Sequence, residues 1–91
     1  MNKDQKVNFI KLWLQKFGNR DNETFNIEVQ IDGVIWEISM QFNFDEDGEE
    51  MYSYDLCRNK FKHLTDNKIS DRSEEDLDKI IKELKSIKFI W

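Results

Sequence analysis

The chain has 91 residues, a formal net charge of −5 and a hydrophobic fraction of 38%, with seven Phe and three Trp. That length holds one domain with a single modest core, and this aromatic content is typical of a chain that folds. Cys57 is the only Cys, which excludes an intramolecular disulfide and a four-Cys metal site. We therefore expect residues 1–91 to form a single domain that depends on its hydrophobic core.

The composition also bears on location. No apolar run approaches the roughly eighteen residues of a membrane span, and residues 1–17 interleave Lys with apolar residues, unlike a signal peptide. A lone Cys is compatible with a reducing compartment. We expect a cytoplasmic protein that makes no use of a membrane.

Residues 4–17 follow the periodicity of an amphipathic helix. The apolar stripe recurs at spacings of three and four and comprises Val7, Ile10, Trp13, Leu14 and Phe17. Asp4 is the expected N-terminal cap, and Gly18 is expected to end the helix in the left-handed backbone conformation. Phe9 and Leu12 widen the apolar face, so we expect this helix to be buried on two sides or to meet a partner.

Two alternating segments, residues 24–31 and 34–44, flank Asp32-Gly33, a dipeptide that favours a type I′ hairpin turn. A two-residue loop pairs apolar residues throughout: Ile31 with Val34, Val29 with Trp36, Ile27 with Ile38 and Phe25 with Met40. A slip of one residue would turn this apolar set to the other face, so the register is predicted. The same register sets Glu28 opposite Glu37.

A second hairpin is predicted around residues 45–50, where five of six residues are carboxylates. Gly48 suits the left-handed position of a three-residue loop over residues 46–48. This turn places three pairs on the apolar face: Phe42 near Tyr52, Met40 near Tyr54 and Ile38 near Leu56. It also places Asp55 and Cys57 on the opposite face, with Cys57 half-buried.

The remaining segments complete the predicted order. Residues 58–72 are expected to be irregular or to hold one short helical turn around Phe61 and Leu64. Ser73 begins a sequence similar to a capping box, and an apolar helical stripe follows it: Leu77, Ile80, Ile81, Leu84, Ile87 and Trp91. The predicted fold class is α+β in the order α-β-β-β-α, a three-stranded antiparallel meander with two helices packed on one face.

Charge is unevenly distributed along the chain. Residues 21–57 contain eleven carboxylates and no Lys or Arg, whereas the rest contains fourteen bases and eight acids. Like charges directly opposite across strands, as predicted for Glu28 and Glu37, are destabilising. An uncovered acidic face and hairpin tip would suit a cationic partner. The predicted partner-binding residues are Glu28, Glu37, Asp45, Glu46, Asp47, Glu49, Glu50 and Asp55. The alternative is an acidic surface that only keeps the protein soluble.

No catalytic or metal motif stands out in the sequence. The three Gly residues fit turns or caps rather than a phosphate loop, and His63 is the only His. Cys57 and His63 are too few for a structural zinc site, and residues 45–50 lack the ligand order of a calcium loop. Glu28 and Glu37 could exchange protons but have no water-excluded pocket. We predict no enzyme, no metal and no cofactor.

Double-stranded-RNA-binding domains share the order α-β-β-β-α, but they grip phosphates with basic residues at the second helix and the first hairpin loop. Here those positions carry the acids Glu74, Glu75 and Asp32. The basic residues of segment 58–72 are expected to form a solvated loop. We therefore predict no direct contact with nucleic acid.

In size, acidity and element order, the whole chain resembles small phage-encoded inhibitors of bacterial defence, particularly anti-CRISPR proteins. Some of these place acidic sheet and loop residues where a nuclease expects DNA phosphates. The resemblance implies a non-enzymatic inhibitor in the host cytoplasm. It also implies that its partner is a cationic protein such as a nucleic-acid-binding nuclease.

Two alternatives remain open. The same acids would serve an immunity protein or antitoxin that caps a cationic toxin. A homodimer or larger homo-oligomeric structural or regulatory module is the other, with an apolar interface built from Phe9, Trp13, Phe89, Ile90 and Trp91.

Overall fold

The computed structural model describes residues 1–44, 46–59 and 63–88, with the side chains of 42–44, 50–54 and 63–66 left aside. One helix precedes the strands along the chain, and the other follows them. The elements are α1 (Lys3–Phe17), β1 (Asn19–Asp21), β2 (Thr24–Ile31), β3 (Val34–Phe44), β4 (Glu50–Asn59), β5 (His63–Asn67), a 3-10 turn (Ile69–Asp71) and α2 (Glu74–Ile87).

The α+β prediction is confirmed. The strands form one antiparallel sheet in the order β1-β2-β3-β4-β5, and the three predicted strands are its centre. The two short edge strands were not predicted, because β1 lies in an expected link and β5 in the segment expected to be irregular. Short edge strands offer little backbone for pairing with another chain.

The predicted N-terminal cap of α1 is wrong, and Gly18 ends the helix as predicted but not in the predicted left-handed conformation. Asn2, rather than Asp4, caps the helix: its side chain accepts from the Gln5 N–H at 2.9 Å, and the Gln5 side chain accepts from the Asn2 N–H at 2.9 Å. Gly18 has φ −65°, which is not left-handed. A Cβ there would lie 2.6 Å from the Leu14 carbonyl oxygen, so close approach is what requires glycine.

The first predicted hairpin is confirmed in turn and register. Asp32 and Gly33 have φ of 53° and 77°, as a type I′ turn needs. The pairing runs from Ile31↔Val34 to Phe25↔Met40 and includes Glu28↔Glu37. The Asp-Gly turn and the alternation of apolar residues specify the same register here, so the sequence alone was enough to predict it.

The second hairpin follows its predicted register only near the turn. Phe42 pairs with Tyr52, but the register then shifts, so that Gln41 pairs with Tyr54. Ser53 is the extra residue of a β-bulge. Beyond it Met40 pairs with Asp55 and Ile38 with Cys57, so the predicted pairings of Tyr54 and Leu56 are wrong. A bulge reverses which residues face the core.

The two helices pack against one sheet face, and the core lies between the layers. Its fully buried large side chains are Phe9, Ile10, Trp13, Leu14, Ile38, Met40, Ile69, Leu77, Ile80 and Leu84. Lys6 pairs with Asp78 at 2.9 Å near both helix starts, and Trp13 Nε1 donates to the Lys88 carbonyl at 3.1 Å near both ends, so the helices run parallel. Ser73 caps α2 by accepting from the Asp76 N–H. Neither described helix combines the length and the apolar character needed to cross a membrane.

Candidate protein-binding surface

The β3–β4 hairpin extends beyond the rest of the sheet. The last pair between β2 and β3 is Thr24↔Gln41, whereas β3 and β4 continue pairing to Phe44↔Glu50. On its other side, β4 pairs with β5 only at residues 57–59. In the described pairings, residues 42–44 and 50–52 therefore pair with each other alone. We call these residues and the turn between them the arm. The bulge at its base adds local twist.

The end of the arm is strongly acidic. Gly48 has φ 82°, the left-handed conformation predicted for it, and Glu46, Asp47 and Glu49 are exposed. We call these three residues the acidic tip. Asp45 and the side chain of Glu50 lie outside the described residues. The tip lies within the segment of the sequence, residues 21–57, that contains no Lys or Arg.

The open sheet face carries Glu28 and Glu37, which are directly opposite as predicted. Glu28 is exposed and Glu37 is half-buried. The bulge, however, makes Arg58 the register partner of Glu37 on the other side. Opposite charges paired across strands are stabilising, so a base from outside residues 21–57 offsets part of the acidic face that the sequence predicted. Sequence reasoning missed Arg58 because the predicted register had no bulge.

Asp55 lies on the helix-covered face, so its predicted place on the open face is also wrong. Its register partner is the fully buried Met40. The Asp55 side chain is 17% exposed, and its carboxylate lies 3.6 Å from Lys11 Nζ of α1. This contact joins the helix layer to β4.

Asp32 is compensated by α2. Its carboxylate accepts from Lys79 Nζ at 2.8 Å, and Glu75 lies 3.6 Å from the same ammonium group. The hydrogen bond from Lys79, and then its charge, lower the pKa of Asp32 below the usual 3.8. The hydrogen bond from Asp32 likewise raises the pKa of Lys79. Nothing local in the sequence predicts this pair, since 47 positions separate the two residues.

Cys57 is fully buried beside Ile38, rather than half-buried on the open face as predicted. Burial raises the pKa of its thiol, although the charge of Arg72 opposes the shift. Arg72 donates from Nη2 to the Cys57 carbonyl at 3.1 Å, and its guanidinium carbon lies 4.5 Å from the centre of the Trp36 ring. Cys57 is thus a core residue. Arg72 is a structural residue that the sequence did not single out.

Within the described residues, no three or more His, Cys, Asp or Glu side chains are grouped so that they could hold a metal ion. A shallow crevice of about 180 Å³ lies between α2 and the β2–β3 turn, lined in part by Asp32, Trp36 and Lys79. Within this crevice, Asp32 and Lys79 already pair with each other. The acidic segment that extends beyond the rest of the described sheet is the arm.

Comparison of this chain with protein-family models, with curated proteins and with solved structures finds no match.

Proposed function

We propose that this protein is a non-enzymatic, protein-binding inhibitor whose arm docks its acidic tip in a cationic groove of a partner protein. The observation that carries the proposal is the projection of the arm beyond the sheet, with Glu46, Asp47 and Glu49 exposed at its end. A two-stranded arm can enter a groove that the flat face of a sheet cannot reach.

The tip acts electrostatically as one unit. Successive acids of the tip are at most two residues apart, or about 7 Å of extended chain, and the Debye length at physiological ionic strength is about 8 Å. A cationic groove therefore meets the three carboxylates together. Such a charge arrangement steers association and discriminates between partners.

Other predicted acids have unequal roles in this proposal. Glu28 is exposed on the open face and is retained as a second contact. Glu37 faces Arg58 in the register, so we assign it less of the binding. Asp55 is covered and beside Lys11, and it is left out of the proposed surface. The tip should then dominate the affinity.

A groove rich in Lys and Arg is the surface with which nucleases hold phosphates. Carboxylates at the tip would compete with phosphate there, as the resemblance to anti-CRISPR proteins suggests, and the site of action would be the host cytoplasm. An immunity protein or antitoxin would use the same tip on a cationic toxin. The two roles differ in whether duplex DNA displaces the complex.

The test compares two triple variants with equal change in charge. One neutralises the tip (Glu46→Gln, Asp47→Asn, Glu49→Gln), and the control neutralises three exposed acids elsewhere (Asp4→Asn, Asp71→Asn, Glu74→Gln). Each immobilised protein is exposed to bacterial lysate, and bound cationic proteins are eluted with rising salt. We expect the tip variant to lose the bound protein at lower salt, while the control matches the wild type.

Thermal denaturation of both variants verifies that each remains folded. Duplex DNA added to the wild-type complex is expected to release the bound protein if the groove normally holds phosphate. Release by DNA supports mimicry of nucleic acid, and resistance to DNA favours the toxin-capping role. A tip variant that retains the protein as the wild type does contradicts both.

A further inference from the structure

One stripe of α1 and its N-terminal flank faces away from the described sheet and carries no charged side chain. Its members recur at spacings of four and three, the pattern of a helix–helix seam, and we call them the α1 stripe: Met1, Gln5, Asn8, Leu12 and Gln15. Charged residues make up 36% of the chain. A stripe of five uncharged residues on a surface helix therefore stands apart from the rest of the surface.

The α1 stripe has a ridge, formed by Leu12, and a hollow on each side of it. Leu12 is 40% exposed, although it is a large apolar side chain. A hollow of about 240 Å³ lies on one side of it, lined by Met1, Gln5, Asn8, Phe9 and Leu12. A second hollow, of about 420 Å³, lies on the other side and is lined by Asn8, Lys11, Leu12 and Gln15. Leu12 and Asn8 line both hollows, so they form the wall between them.

We propose that a second copy of this chain binds here, with the two α1 helices antiparallel across a twofold axis. Leu12 of each copy would enter the hollow floored by Phe9 in the other. A twofold interface uses the same patch on both subunits, so that patch must contain both a projection and its complementary cavity. The amide side chains of Gln5, Asn8 and Gln15 can each donate and accept, which lets them pair with their own kind.

Charge favours a second copy over other occupants. The cationic partner proposed for the acidic tip would find no carboxylate in the α1 stripe. An acidic partner would find cations only at the edges of the stripe, at the Met1 α-amino group and at Lys11, and Lys11 Nζ already lies 3.6 Å from the Asp55 carboxylate. An identical uncharged stripe meets neither obstacle. This interface is also separate from the arm, so a dimer would present two acidic tips.

The length of α1 limits the strength of the interface. The 15 residues of α1 span about 22 Å, which limits the area that two such helices can bury. The dimer should therefore depend on protein concentration. By sedimentation equilibrium of the full chain, we expect the average mass to rise from 11.1 kDa towards twice that value as concentration increases.

Leu12→Glu tests the ridge, and Ile87→Glu is its matched control, since Ile87 is a 52% exposed apolar residue on α2. We expect the Leu12 variant to remain monomeric at concentrations where the wild type and the Ile87 variant dimerise. A wild type that stays monomeric at every concentration overturns the proposal. Equal association of the two variants also overturns it.

Disulfide trapping tests the geometry. Antiparallel insertion of Leu12 places the twofold axis near Asn8, so Asn8→Cys should form a covalent dimer under mild oxidation. Cys57 is fully buried and adds no exposed thiol. Lys82→Cys, an exposed site on α2, is the control. Trapping at Asn8 that exceeds the control at least tenfold, and that Leu12→Glu abolishes, is the expected result. Equal rates at the two sites contradict the proposed axis.

Discussion

At the scale of single residues, Gly18 shows how close approach rather than backbone conformation can require glycine. The chain leaves α1 there with extended backbone angles, and its N–H donates to the Leu14 carbonyl at 2.9 Å. The sequence identified the residue correctly as the end of the helix. The sequence could not supply the reason. The distance between a Cβ at Gly18 and the Leu14 carbonyl oxygen depends on the path that the chain takes from α1 into β1.

Gly18→Ala is therefore expected to destabilise the fold. The new Cβ would meet backbone at 2.6 Å, and backbone cannot move aside as a flexible side chain can. We expect a loss of about 1–3 kcal/mol in the free energy of unfolding, measured by urea denaturation. Asn19→Ala, at the exposed neighbouring position, should change it by less than about 0.5 kcal/mol. Equal stability of the two variants would refute the steric explanation.

Cys57 illustrates the opposite case, in which a residue gains its role only from tertiary packing. Its thiol is fully buried, and burial raises its pKa, so little thiolate is present or accessible in the folded protein. We expect a thiol-specific reagent to react roughly a hundredfold or more slowly with the folded protein than with the protein in urea. Comparable rates in the two states would show that Cys57 is exposed.

At the scale of elements, the two hairpins differ in how far sequence determines them. In β2–β3, the Asp-Gly turn and the apolar alternation specify one register, and that register was predicted in full. In β3–β4, the turn at Gly48 and the pair Phe42↔Tyr52 were predicted, but the bulge at Ser53 was not. Burial of Cys57 and contact of Asp55 with Lys11 accompany the shifted register, and both depend on where the helices lie.

The turn of the first hairpin is also tied to α2 through Asp32 and Lys79. Because the pKa of Asp32 is lowered, its contribution to stability is present above about pH 4 and is lost as pH falls through the lowered value. Because the pKa of Lys79 is raised, its contribution is present below about pH 10 and is lost as pH rises through the raised value.

Lys79→Gln should accordingly lower the melting temperature by a similar amount between about pH 5 and pH 9. The difference from the wild type should shrink in acid, when Asp32 becomes protonated. Lys82→Gln, at an exposed position on the same helix, is the control and should show no such profile. A Lys79 variant whose melting temperature matches the wild type throughout would mean that the contact contributes nothing to stability.

At the scale of the whole molecule, seven of the described basic residues contact acids or aromatic rings within the domain, and the arm carries three exposed acids at its end. Lys6, Lys11 and Lys79 pair with carboxylates. Four other cations lie over aromatic rings: Arg20 over Phe25, Arg72 over Trp36, Lys85 over Phe9 and Lys88 over Phe17. The sequence indicated the excess of acids, but the fold decides which of them face a partner.

The acidic tip was the most predictable part of the candidate surface, because a turn position and its exposure follow from local sequence. The open face was the least predictable. Arg58 reaches its place opposite Glu37, and Asp55 leaves the face, through a single extra residue in β4. Of the residues predicted to build an oligomer interface, Phe9 and Trp13 are fully buried in their own subunit, so neither projects from it, and Phe9 only floors a surface hollow. Phe89, Ile90 and Trp91 lie outside the described residues.

The most direct test of the proposed role of the acidic tip is the salt dependence of affinity for a captured cationic partner. The wild type, the tip variant and the matched control variant would be titrated against that partner over a range of salt concentrations. We expect the wild type and the control to share a steep loss of affinity with salt, and the tip variant to bind at least tenfold more weakly with a shallower slope. Equal affinity and an equal slope for all three proteins would contradict the proposal.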